Sequence, residues 1–87
     1  MNKNLIIAKL ERLNVLLEEK VEETDNSIVF WEGRIEKSGE NAIVEVNNIT
    51  YKDCLNTAIE NGKYYEKEIE ENEALIRELR KEAQNEN

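Results

Sequence analysis

From Leu55 to Ala83, apolar and small residues return every three or four positions, and no other feature constrains the fold of this chain as tightly. Leu55, Gly62, Ile69, Ile76 and Ala83 hold one heptad position, and Ala58, Tyr65, Asn72 and Leu79 hold the other. That is the pattern of a helix packed along its length against another helix. Ile59 and Leu75 widen the stripe. The chain contains no Pro, so the helical pattern running from Thr50 to about Glu82 meets one weak point, Asn61-Gly62, a turn signal. Thr50 followed by Asp53 suits an N-cap, and Arg80 and Lys81 sit where the helix dipole favours cations.

Upstream, Ile6, Leu10, Leu13, Leu17 and Val21 form a second amphipathic stripe, which predicts a helix over 4–22 with Asn2 or Asn4 as its cap. Thr24-Asp25-Asn26-Ser27 then reads as a turn. Over 27–36, Val29, Trp31 and Ile35 alternate with polar neighbours, which predicts a strand, and 42–49 reads as a second. Gly39 is available between them for a turn with positive φ. The expected architecture is a single small α+β domain, mainly helical and ordered α-β-β-α. It comprises a helix over 4–22, a β-hairpin over 27–49, a long coiled-coil-like helix over 50–83 and a frayed tail over 84–87.

Helix lengths bear on assembly. At ~1.5 Å per residue the C-terminal helix would be about 50 Å long and the N-terminal one under ~30 Å. A first helix of that length leaves the distal seam uncovered. The sequence therefore predicts a homo-oligomer, dimer or higher, built through Leu55, Ala58, Tyr65, Ile69, Asn72, Ile76 and Leu79. A helix broken at Gly62, folding into a compact monomer, is the rival.

Composition narrows the chemistry. The chain has no His and one Cys among 87 residues, which removes the usual general base, the commonest zinc ligand and any intrachain disulfide. Ser and Thr have no imidazole to activate them, so no catalytic residue, metal ligand or cofactor is expected, and the chain reads as non-enzymatic. The net charge of −8 opposes binding to a nucleic-acid duplex. No apolar run is long enough for a membrane span, and the first residues lack a secretory signal. The cytoplasm of a bacterium or phage-infected host is the expected compartment.

The expected activity is binding. Glu68, Glu71 and Glu73 on the long helix suit docking on a basic groove of a partner protein. This reading describes a small acidic protein that self-associates and inhibits or regulates another protein, as phage antagonists of host defence do. An alternative uses Trp31, Arg34, Tyr51, Lys63 and Tyr64 to hold a small nucleotide-like ligand between protomers, because aromatic faces stack on bases and Arg meets phosphate. A structural or assembly adaptor, whose self-association is itself the function, is a third.

Overall fold

The computed structural model describes residues 2–85. Two long helices lie antiparallel: α1 spans Lys3–Ser38 (36 residues) and α2 spans Tyr51–Asn85 (35 residues). Between them β1 (Ile43–Val44) and β2 (Ile49–Thr50) make a minimal antiparallel hairpin, pairing Ile43 with Thr50 and Val44 with Ile49. The order is α-β-β-α and the chain is mainly helical. The molecule is a rod of 62 × 19 × 15 Å.

The element boundaries differ from expectation in two places. Residues 27–36, expected as a strand, are helical, and α1 continues through the supposed turn at 24–27. The polar residues there bond back to their own helix and do not end it. Thr24 Oγ1 donates to the Val21 carbonyl at 2.7 Å and Ser27 Oγ to the Glu23 carbonyl at 3.0 Å. Ile28, Trp31 and Ile35 fit a helical spacing as well as an alternating one, and packing against α2 decides between them. The segment expected as one strand, 42–49, instead folds back on itself as the hairpin.

Caps explain the ends. The Asn2 side chain accepts from the Asn4 amide at 2.9 Å, and Thr50 Oγ1 accepts from the Asp53 amide at 3.1 Å. Gly39 stops α1 with φ of 87°, its amide donating to the Ile35 carbonyl. Glu45–Asn48 turn the hairpin, with Asn48 at φ 61°, a conformation Asn tolerates. The tail expected to fray over 84–87 is helical through Asn85; residues 86 and 87 lie outside the described residues.

Two contacts fix the register of the helices. Asn72 Nδ2 donates to Asn14 Oδ1 at 2.9 Å, and Thr24 sits so close to Gly62 that a Cβ there would lie 3.0 Å from Thr24 Oγ1. Both contacts lie in one antiparallel register, in which each step forward on α1 is a step back on α2. Extended in both directions, that register sets Ile7 level with Leu79, Leu10 with Ile76, Leu17 with Ile69, Val21 with Tyr65, Ile28 with Ala58 and Trp31 with Leu55. α1 therefore carries a heptad seam of its own, running Lys3, Ile7, Leu10, Asn14, Leu17, Val21, Thr24, Ile28, Trp31 and Ile35. α2 is unbroken at Gly62.

Candidate functional site

The seam residues proposed for oligomerisation face α1 of the same chain. Ala58 and Ile76 are buried, Asn72 is bonded to Asn14, and Leu55, Tyr65, Ile69 and Leu79 are half-buried. The premise that the first helix is too short to cover this seam does not hold, because α1 matches α2 in length.

The two-helix rod leaves a large surface exposed. Its accessible surface is 6765 Å², against about 5,300 Å² for a compact monomer of this mass. Among the described residues the buried apolar side chains are Ile7, Ala58 and Ile76, while Leu5, Leu13, Val15, Leu16, Phe30 and Leu75 are exposed.

Its two sides, flanking the seam, are unlike. One is charged: Glu11, Glu18, Glu73, Arg77 and Arg80 rim a groove over Asn14 and Ile76, and Arg80 Nη2 donates to Glu11 Oε2 at 3.2 Å. The other side holds a shallow groove of about 310 Å³ whose lining has no charged residue: Ser27, Trp31, Ile49, Cys54, Thr57 and Asn61 over Thr24 and Ala58. The lining mixes polar Thr24, Ser27, Thr57 and Asn61 with apolar Trp31, Ile49, Cys54 and Ala58. Leu13 lies two heptads before Ser27 and Leu75 two heptads after Asn61, so both leucines share this side.

The turn end forms an aromatic tip. Phe30 meets Trp31 edge-on at 4.9 Å between centroids, Trp31 meets Tyr51 at 5.5 Å, and the Arg34 guanidinium lies 5.1 Å from the Phe30 centroid. Ile43, Val44 and Glu45 complete a cleft with them. Val46, at the apex of the turn, is 95% exposed.

Of the five residues read as a ligand set, Trp31, Arg34 and Tyr51 come together here. Lys63 and Tyr64 do not: they lie about three turns along α2, roughly 20 Å away, where Tyr64 pairs with Tyr65 at 5.8 Å. The three glutamates proposed for docking also divide. Glu68 shares its heptad position with Cys54, Asn61 and Leu75, and Glu71 with Thr57, on the uncharged groove's side. Glu73 lines the charged groove opposite. Sequence reasoning missed the groove, because half its lining comes from a segment read as turn and strand. Ser27, Thr57 and Asn61 are also unremarkable polar residues until two helices bring them together.

Among the described residues, no group of His, Cys, Asp and Glu is placed to hold a metal ion, and no helix is long and apolar enough to cross a membrane. The architecture is that of an antiparallel two-helix hairpin with a β-turn tip. Compared with known proteins, the chain matches no family, and no characterised protein or solved structure is similar to it.

Proposed function

We propose that this protein is a non-enzymatic binding protein that self-associates and presents its aromatic tip to a partner protein, which it regulates or inhibits. The surplus of surface carries the reading. A chain of 10.2 kDa that leaves roughly 1,400 Å² more exposed than a compact monomer lacks the burial that stabilises small domains. A second copy supplies it, since a standard interface covers roughly 800 Å² per partner and an obligate one more. The tip adds an anchor of the kind that dominates protein interfaces: aromatic residues beside an Arg, with Val46 projecting beyond them. Partner inhibition of the phage-antagonist kind and use as an assembly adaptor both fit such a module. In the nucleotide-sponge reading the ligand lies between protomers, so Lys63 and Tyr64 would come from one copy to meet Trp31, Arg34 and Tyr51 of another.

Mass action provides the test. A chain stabilised by its own association melts at a higher temperature as protein concentration rises. A thermal midpoint that climbs steadily between 1 and 200 µM is expected. A midpoint that stays fixed across that range overturns self-association.

A further inference from the structure

We propose that the aromatic tip takes an acidic segment of the partner protein, seating an apolar side chain in the cleft beside Trp31 and a carboxylate on the Arg34 guanidinium. This rests on the reading of the tip as the partner surface and adds the chemistry of what binds there.

The order of residues on α1 sorts the charges. At 3.6 residues per turn, Phe30, Arg34 and Lys37 fall on one flank of the helix, and Glu32 and Glu36 each stand about 160° round it from Arg34. The carboxylates of this segment therefore leave the Phe30 flank to the cations.

The structure keeps those cations available. Among the described residues neither Arg34 nor Lys37 stands in an ion pair. Arg34 lies instead over the Phe30 ring, 5.1 Å from its centroid, a contact that orients the guanidinium and leaves its N–H groups to bond a carboxylate. Glu40, at the end of α1, is engaged by Lys52 at 3.7 Å.

Phe30 and Arg34 form a ridge between two hollows. On one side lies the cleft closed by Trp31, Tyr51 and β1, about 350 Å³ in volume, with Glu45 as the one carboxylate of its lining. On the other, Val29, Gly33 and Lys37 complete a hollow whose lining has no carboxylate. Together the two linings carry two cations against one carboxylate, in a chain with 12 basic and 20 acidic residues. Apolar surface accompanies the charge: Val29, Phe30 and Ile43 are all exposed. Aromatic residues beside an Arg are the anchors on which interfaces depend most. A partner complementary to this ridge presents a carboxylate next to a large apolar side chain.

Charge also selects among anions. The net charge of −8 repels a phosphate backbone that runs along the rod. A short acidic segment meets the tip alone, and charges beyond about 8 Å are largely screened at physiological salt.

The test sorts a displayed library of random linear peptides on the wild type and on a variant combining Arg34→Glu and Lys37→Glu, whose helix content is checked by circular dichroism. Trp31, the single Trp, forms a wall of the cleft and reports its occupancy. Peptides selected on the wild type are expected to carry Asp or Glu beside an aromatic or large aliphatic residue. Once synthesised, they should move Trp31 emission to shorter wavelength and bind the charge-reversed variant about tenfold more weakly or worse. Arg34→Lys should recover part of that loss in the Lys37 background. If the reversed variant loses its helix, salt gives the second reading: wild-type affinity for the same peptides should fall as sodium chloride is raised. Selected peptides that shift Trp31 but are neutral or basic, or bind independently of salt and of Arg34, overturn the acidic occupant and leave the tip as the partner surface. A library that yields no peptide able to shift Trp31 overturns the tip as the partner surface, and this inference with it. An equal shift with inorganic phosphate or single-stranded DNA would make the tip a general anion site and overturn the assignment to a protein segment.

Discussion

Asn14 and Asn72 form a hydrogen-bonded polar layer inside an otherwise apolar stretch of seam, and removing either one should have an unequal effect. Asn14 is 8% exposed, whereas Asn72 is only half-buried. Replacing Asn72 with Leu leaves the Asn14 amide, buried at the floor of the charged groove, without its protein partner, a loss of about 1–3 kcal/mol. Replacing Asn14 with Leu orphans Asn72, which can turn to water, and puts an apolar side chain at the more buried position, gaining up to about 1.5 kcal/mol. The double Leu variant removes both amides and continues the apolar run between Leu10 and Leu17 on one side and Ile69 and Ile76 on the other. Stability is therefore expected to rank double Leu above Asn14→Leu, then wild type, then Asn72→Leu. At about 4–8 °C per kcal/mol for a domain of this size, the extremes should be separated by more than 10 °C in circular-dichroism melts at one fixed protein concentration. The double-mutant cycle should show coupling well above 0.5 kcal/mol. Equal effects of the two single substitutions, or an additive cycle, would refute the bonded pair and with it the register.

Further substitutions probe other layers. Gly62→Ala should forfeit the helix-propensity gain of about 1 kcal/mol, because the new Cβ meets Thr24 Oγ1 at 3.0 Å while that hydroxyl is held to the Val21 carbonyl. In a Thr24→Ala background, chemical denaturation should recover the gain, and a full gain in the wild-type background would contradict the close approach. Glu11→Gln breaks an ion pair whose side chains are both more than half exposed, so urea titration should register a loss below about 1 kcal/mol. Val46→Asp at the tip should leave the melting temperature unchanged while abolishing partner capture from lysate. Capture that survives it would remove the tip from the binding surface.

The seam of α2 could be read directly because it is nearly all apolar, and the helix does run from the Thr50 cap through Gly62. The seam of α1 has the same period but was hidden by its polar members. Asn14 and Thr24 belong to it only because Asn72 and Gly62 stand opposite, and such a pairing cannot be seen within any local window. Once Thr24 is taken for a turn, Trp31 and Ile35 lose their connection to Val21, and their alternation with charged neighbours reads as a strand. Three of the five residues of the aromatic set come together for a local reason: Trp31 and Arg34 lie one turn apart and Tyr51 begins the facing helix, while Lys63 and Tyr64 lie along another part of the rod. The uncharged groove depends on both helices and so required the fold.

The account stands most directly on the mass of the purified chain in solution. Multi-angle light scattering of the wild type across a dilution series from 200 µM downward is expected to give about twice the 10.2 kDa of one chain at the upper end, falling toward one chain at the lower. A mass of one chain at every concentration would contradict it, and would mean that the hairpin tolerates its exposed leucines alone.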